Sequence, residues 1–145
     1  MGLLSKLTAG VTPQKKASDD VLLLHGLMLM AGADGSIGDE EWDMLKAYWF
    51  TIPEFADKSF DDVLADANKV VARFGNLQES IKALSEIKSD VVRRKLFVLA
   101  ADLAMSSGDV DETEDKMLET FQRLLNIDDG MAQKVLEVLS IKYAQ

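Results

Sequence analysis

The chain lacks cysteine altogether and contains a single histidine among its 145 residues. Without cysteine it can form no disulfide, no thiolate metal site and no Cys–His nucleophilic pair. No serine lies in a Gly-x-Ser-x-Gly elbow, and the glycine patterns of phosphate and dinucleotide sites are missing from the sequence. We therefore expect a protein that is not an enzyme. The remaining catalytic hypothesis would need paired carboxylates.

Long apolar runs are also scarce. The two longest, residues 21–33 and 96–105, are too short to cross a bilayer, and Asp102 interrupts the second. The opening stretch, MGLLSKLTAG, lacks the apolar core of a secretory signal. These features predict a soluble, cytoplasmic protein that does not itself span a membrane.

Few residues interrupt regular structure, since the chain has two prolines and nine glycines. The abundant residues mostly favour helices, and no segment alternates apolar and polar residues in the manner of a strand. The sequence predicts an all-α fold with about six or seven helices. Residues 1–17 are polar and predict a flexible arm, whereas residues 18–145 predict a single domain.

Two of the predicted helices are apolar on nearly every face, one over residues 21–30 and one over residues 91–104. A helix of this kind lies in the centre of a bundle. His25 belongs to the first of them, so we expect a core histidine rather than a ligand. Trp42 and Trp49 share one face of the next helix and predict core residues, with an exposed docking patch as the alternative.

The negative charge is concentrated in two short segments. Residues 34–43 carry a charge of −5 and residues 109–119 carry another −5, while the whole chain carries −9. The remainder is therefore almost neutral. Because binding to phosphate backbones requires clustered Lys and Arg, this charge distribution argues against nucleic acid as a partner.

The two acidic segments belong to an internal repeat with an offset of 73 residues. Each unit has an apolar helix, a glycine turn and an acid-rich helix, about residues 19–50 and 90–125. The aligned pairs are Gly35 and Gly108, Ile37 and Val110, Asp39 and Glu112, Glu41 and Glu114, and Leu45 and Leu118. The units differ where Ser107 stands opposite Asp34 and where Asp111 stands opposite Gly38. We expect Ser36 to cap the acid-rich helix of the first unit.

Neither loop is a standard EF-hand. If Gly35 were the invariant glycine of such a loop, its first and third ligand positions would be Met30 and Gly32, which have no oxygen-bearing side chains. A different arrangement brings the two loops together, so that Asp34, Glu41 and Glu114 converge with Asp111 or Asp109 nearby. Several clustered carboxylates repel each other unless a cation or protons relieve them. All-oxygen ligands favour Ca, Mg or Mn.

The same acids have a purely structural interpretation. Acidic residues in the first turn of a helix are stabilised by its dipole, by about 0.3–1 kcal/mol each. In that case Asp34, Glu41 and Glu114 only cap helices and keep the chain soluble. Residues alone leave both interpretations open.

The paired motifs Ala33-Asp34-Gly35-Ser36-Ile37 with Glu41, and Ser107-Gly108-Asp109-Val110 with Glu114, resemble the TerB-like tellurite-resistance family. The resemblance covers roughly residues 18–142. It implies a compact bundle of about seven helices with two pseudo-twofold-related halves. It also implies a metal site that carries over to Asp34, Glu41 and Glu114, although Ser107 stands where the family usually has Asp.

The resemblance further implies a cytoplasmic, non-enzymatic protein of tellurite and chemical-stress response. Its expected partners are proteins, including membrane-associated stress-response proteins. A divalent cation is the only candidate cofactor. The alternatives are a purely structural or protein-interaction bundle without metal and, less favoured, a carboxylate-based enzyme. The sequence leaves the oligomeric state open.

Overall fold

The computed structural model describes residues 17–33, 35–108 and 110–145. These ranges contain seven α-helices and two short 3₁₀-helices, with no strand. The α-helices are α1 (Asp19–Ala31), α2 (Asp39–Thr51), α3 (Phe60–Arg73), α4 (Leu77–Lys82), α5 (Asp90–Met105), α6 (Glu112–Leu124) and α7 (Asp129–Lys142). The 3₁₀-helices Pro53–Phe55 and Ala83–Glu86 follow α2 and α4. The predicted all-α bundle is confirmed for this part of the chain.

Some predictions concern residues outside these ranges. The arm was predicted over residues 1–17, and residues 1–16 of it are outside the described part of the chain. Asp34 and Asp109, which belong to the two acidic loops, are outside it as well.

The two predicted central helices, α1 and α5, pack against each other more extensively than any other pair of described helices. Leu22, Leu23 and Leu24 of α1 are almost completely buried on three faces of the helix. At the crossing, a Cβ built on Gly26 would lie only 2.6 Å from Cδ2 of Leu96. Glycine therefore allows the close approach of α1 to α5.

The central helix α5 departs from the prediction on one face. Leu96, Ala100 and Ala104 are fully buried, whereas Val91 and Val98 are exposed. The outer side of α5 therefore faces solvent, and of these two central helices α1 is the one buried along nearly all of its faces.

The fourth helix is shorter than predicted. The sequence predicts one helix over about residues 77–87, but the α-helix ends at Lys82 and a 3₁₀ turn continues to Glu86. This turn buries Ala83 and Leu84, and it packs against α1. Packing of these two side chains accompanies the tighter winding.

Asp19 joins the start of α1 to the start of α5. Its two carboxylate oxygens accept hydrogen bonds from the backbone N–H groups of Lys88 and Ser89, each at 3.0 Å. Ser89 is the N-cap of α5, and its own hydroxyl accepts from the N–H of Val92 at 3.3 Å. One carboxylate therefore fixes the entry of the second central helix against the first.

We expect Asp19→Ala to lower the free energy of unfolding by about 1–2 kcal/mol, because two backbone donors lose a charged acceptor. Urea unfolding followed by circular dichroism measures this change. Asp39→Ala, at the start of α2, is the matched control, since the exposed Asp39 also begins a helix. Equal, small losses in both variants would show that Asp19 contributes only through the helix dipole.

Candidate functional site

The glycines of the two turns in the repeat both have a positive φ angle. Gly35 has φ 115° and Gly108 has φ 86°, values in the left-handed region that favours glycine. In each turn the glycine N–H donates to a carbonyl three residues earlier, Gly32 at 2.9 Å and Met105 at 3.1 Å. The donors of the two bonds are 73 residues apart, and so are the acceptors. The two turns therefore share this hydrogen bond as well as their sequence pattern.

The acid-rich helices that follow the turns also start alike. Glu41 and Glu114 are each the third residue of their helix, α2 and α6. In α6 the Asp111 side chain accepts from the Glu114 N–H at 2.7 Å, and the Glu114 carboxylate accepts from the Asp111 N–H at 3.5 Å. This reciprocal pair is a capping box.

In α2 the N-cap is Gly38, not the predicted Ser36. A Cβ built on Gly38 would lie 3.6 Å from Oε1 of Glu41. The Glu41 carboxylate is therefore close to its own helix start, as the Glu114 carboxylate is to the start of α6. Glycine has no side chain to cap α2, so the first unit lacks half of the capping box that the second unit has.

The two units meet around one cavity of about 590 Å³, which we call the acidic cavity. The first unit supplies Met30, Ala31, Glu40, Glu41 and Met44, and the second supplies Leu103, Ser106, Ser107, Asp111 and Glu114. The structure therefore brings Glu41, Glu114 and Asp111 to the same cavity, three of the four residues predicted to bind a metal. The fourth, Asp34, lies outside the described residues.

The acidic cavity has a defined chemical character. Its polar lining consists of four carboxylate side chains and two serines, and Glu41 and Glu114 are half-buried. Within residues 17–33, 35–108 and 110–145, no group of three or more Asp, Glu, His or Cys side chains is spaced to hold a metal ion. The described lining alone is therefore an acidic, hydroxyl-containing pocket rather than a closed coordination sphere.

A buried carboxylate on α5, next in sequence to the cavity-lining residue Leu103, connects three helices. Asp102 of α5 is 5% exposed. Its Oδ2 accepts from the Tyr48 hydroxyl of α2, and its Oδ1 accepts from Lys142 Nζ and the Tyr143 hydroxyl, each at 2.7 Å. We call these four residues the Asp102 cluster. It attaches α2, which carries Glu41, to the central helix and to the end of α7.

The ionisation of the cluster follows from its contacts. Burial by itself would raise the pKa of Asp102, but hydrogen bonds from Lys142, Tyr143 and Tyr48 hold the pKa below its usual range. Burial raises the pKa of Tyr48, and the hydrogen bond to Asp102 raises it further. The same carboxylate raises the pKa of Lys142. At neutral pH the cluster is therefore an anion held by one cation and two neutral hydroxyls.

In the sequence, Asp102 stands out only as an interruption of an apolar run. A signal was available, because a lone carboxylate inside a buried helix requires partners. Glu40, Met44 and Ser106 of the cavity lining were missed too, because no spacing in the sequence relates Glu40 and Met44 to Ser106, which lies far later in the chain.

The two tryptophans of α2 pack against aromatic neighbours, whereas Phe50 of the same helix is 86% exposed. Trp49 is buried and stacks on Phe55, with ring centroids 4.0 Å apart. Phe60 packs edge-on against both tryptophans, at 5.2 Å from Trp49 and 6.5 Å from Trp42. The core interpretation of Trp42 and Trp49 is favoured over an exposed docking patch.

A family model described as tellurite resistance protein TerB matches residues 20–136. The chain belongs to the TerB family. The match contains both glycine turns and both acid-rich helices, so the TerB family assignment covers the whole acidic cavity. Searches of curated proteins and of solved structures gave no match.

Family membership sharpens the comparison of the two units. Of the three residues for which the sequence resemblance implies a metal site, Asp34, Glu41 and Glu114, the two that the structure describes share one cavity. Ser107, which also lines the cavity, stands opposite Asp34 of the first unit in the 73-residue repeat. Among the described helices of this TerB-family chain, none combines the length and apolarity that crossing a bilayer requires.

Proposed function

We propose that this TerB-family chain is a non-enzymatic module of tellurite and chemical-stress response whose acidic cavity binds a divalent cation. The observation that supports the proposal is the shared lining of one cavity by Glu41 and Glu114, which are 73 residues apart in the sequence. Two like charges in one half-buried place repel each other, and a cation relieves that repulsion.

The donor set supports a hard ion. The polar side chains of the lining offer only oxygen atoms, from Glu, Asp and Ser. Ca²⁺, Mg²⁺ and Mn²⁺ prefer such ligands, whereas Zn²⁺ and Cu²⁺ favour nitrogen and sulfur. A cavity of about 590 Å³ also has room for an ion that keeps part of its hydration shell. Ser106 and Ser107 would then supply neutral oxygen ligands or hold water molecules. Asp34 is the expected additional ligand.

The position of the single histidine supports the non-enzymatic part of the proposal. His25 is fully buried in α1 and does not line the acidic cavity. Its imidazole therefore cannot serve as the general base for a substrate bound there. We propose instead that the acidic face binds protein partners in the cytoplasm, including membrane-associated stress-response proteins, as the TerB resemblance implies.

The capping box favours a second candidate, a structural bundle without metal. Asp111 and Glu114 already cap α6 through each other's backbone. If capping is their whole role, replacing acids with amides should leave stability unchanged or raise it, because like charges in the cavity would no longer repel.

Titration with CaCl₂, MgCl₂ or MnCl₂ separates the two candidates. We expect at least one of these ions to raise the melting temperature of the wild type. The stabilisation should reach about 2.7 kcal/mol when the free ion is a hundredfold above its dissociation constant. Calorimetry should give one binding event, and the Glu41→Gln/Glu114→Gln variant should lose both effects. Asp34→Asn tests the remaining predicted ligand in the same assay.

The matched control is Asp61→Asn/Asp62→Asn, which removes the same charge from the exposed first turn of α3. It should retain the ion-dependent stabilisation. The cation proposal is wrong if the wild type shows no shift with any of the three ions, or if the Glu41→Gln/Glu114→Gln variant shifts as much as the wild type.

A further inference from the structure

A second cavity, of about 530 Å³, lies between α4 and α6 and shares no lining residue with the acidic cavity. We call it the basic groove. The α4 side contributes Gln78, Ile81 and Lys82, and the α6 side contributes Thr113, Lys116, Met117, Thr120, Arg123 and Leu124. The α6 residues recur at helical spacing and form one face of that helix.

The floor of the basic groove is apolar. Ile81 and Met117 are at least nine-tenths buried, and Leu124 is half-buried. Leu77, one turn before Ile81 on α4, is 53% exposed and extends this apolar surface. The apolar area open to a partner therefore comes mainly from Leu77 and Leu124, with little from Ile81 and Met117.

The rim of the groove is positively charged in an otherwise acidic protein. Lys82, Lys116 and Arg123 line it, and no carboxylate does. The lysines have partners on their own helices, Lys82 with Glu79 at 3.1 Å and Lys116 with Glu112 at 3.0 Å.

These pairs leave the rim able to bind an anion. Both lysine pairs are exposed, and each joins residues one turn apart on the same helix. Ion pairs of this type contribute only about 0.3–0.5 kcal/mol to stability. Arg123 has no ion pair among the described residues. The three cations are therefore available to an incoming anionic group.

The shape of the groove indicates what fits there. Its α6 wall extends from Thr113 to Leu124, about 16 Å at the helical rise per residue. That length matches about three turns of a third helix laid between α4 and α6. Such a helix would place apolar residues at i, i+3, i+4 and i+7 on the floor, with flanking acids beside the cations.

Shape and local charge select the occupant. The net charge of −9 repels every anionic partner at longer range, so the rim cations attract an anionic group only at contact. A nucleic acid has no apolar helix face for the floor, and a flat membrane surface does not enter a groove between two helices. Residues 1–16 of this chain contain three lysines and no acid, so they have the same sign as the rim. We propose that the basic groove is a docking site for an acidic amphipathic helix of a partner protein.

A synthetic helical peptide provides a direct probe. It carries leucines at i, i+3, i+7 and i+10 with glutamates on both flanks, and a fluorescent label reports binding by anisotropy. We expect saturable binding to the wild-type chain that weakens as NaCl is raised. A peptide with serines in place of the leucines should not bind. A peptide with lysines in place of the glutamates is attracted to the acidic surface of the protein, so its binding should not depend on the rim cations.

Variants locate the site. Lys116→Gln/Arg123→Gln should weaken binding of the glutamate peptide roughly tenfold, since each lost charge pair costs up to a few-fold in affinity. Arg94→Gln/Lys134→Gln removes the same charge from exposed positions on α5 and α7 that line neither cavity, and it should bind like the wild type. Circular dichroism checks that both variants remain folded.

Several results would overturn the proposal. These are no binding of the glutamate peptide at about 1 mM, equal binding of the serine peptide, or equal weakening in the two double variants. If Lys116→Gln/Arg123→Gln instead abolishes binding to phosphatidylglycerol vesicles, the occupant is a membrane. If it abolishes self-association in sedimentation, the occupant is a second copy of the chain.

Discussion

Asp102→Ala is expected to lower the free energy of unfolding by about 3 kcal/mol, because a buried charged acceptor with three donors is lost. The Tyr48 hydroxyl is half-buried and would keep no partner within the Asp102 cluster. Lys142 is more than half exposed, so its ammonium turns to water and contributes little to the loss. Equilibrium unfolding in urea at neutral pH measures the change.

Replacing the donors one at a time should give unequal losses in the free energy of unfolding. Tyr48→Phe is expected to cost about 1–2 kcal/mol, since it leaves one buried carboxylate oxygen without a donor in the cluster. Lys142→Met should cost less than about 1 kcal/mol, as an exposed ion pair. Asp43→Ala, on the exposed side of α2, is the control and should stay within about 0.5 kcal/mol of the wild type. A loss for Asp102→Ala no larger than that of Asp43→Ala would contradict this account.

The Asp102 cluster also holds α2, the helix that supplies Glu41 to the acidic cavity. Tyr48 and Glu41 are seven residues apart on α2, so both lie on the same side of that helix. The cluster attaches this side to α5, which contributes Leu103 to the cavity. If the cation proposal holds, Asp102→Ala should therefore weaken ion affinity as well as stability.

The repeat was predictable because its signals are local. A glycine after an apolar helix, followed by acids at fixed spacing, occurs twice, and each half of the pattern can be read without the other. Gly35 and Gly108 indeed share a left-handed conformation. Pseudo-twofold packing of the two units predicts that both face one cavity. Glu41 and Glu114 line the same cavity, which supports this prediction.

The missed features depend on residues far apart in the sequence. Asp102 has its partners 54, 40 and 41 residues away, and no spacing rule connects them. Gly26 resembles an ordinary helix-interior glycine until Leu96 is packed against it. The basic groove likewise unites Lys82 with Arg123 only because α4 packs near α6. Periodicity identifies which residues are apolar, but not which helix faces which.

Lowering the pH from about 7.5 to 5 should destabilise the protein by about 1–2 kcal/mol through His25 alone. His25 lies completely inside the bundle, where its Nε2 donates to the Ser80 carbonyl at 2.8 Å. Its Nδ1 is buried and has no hydrogen-bond partner among the described residues. A neutral imidazole leaves a lone pair there, whereas a protonated one would bury an unsatisfied N–H.

The sign of the effect follows from the pKa. Burial lowers the pKa of His25 in the folded state, and the hydrogen bond to Ser80 only partly opposes this. The Arg73 guanidinium lowers the pKa further, while Glu86 acts in the opposite direction. The unfolded chain therefore binds more protons below its own histidine pKa of about 6.5. The stabilisation is complete above that pH and declines as the pH falls below it.

The chain is well suited to this test because His25 is its only histidine. Ordinary carboxylates titrate near pH 4, and Asp102, whose pKa is lowered, loses its stabilising contribution only in stronger acid. His25→Gln keeps a donor for the Ser80 carbonyl but cannot be protonated, so its unfolding free energy should be flat between about pH 7.5 and 5. A wild type equally flat over this range would show that the folded protein accommodates the imidazolium. A variant with the wild-type slope would assign the effect to other groups.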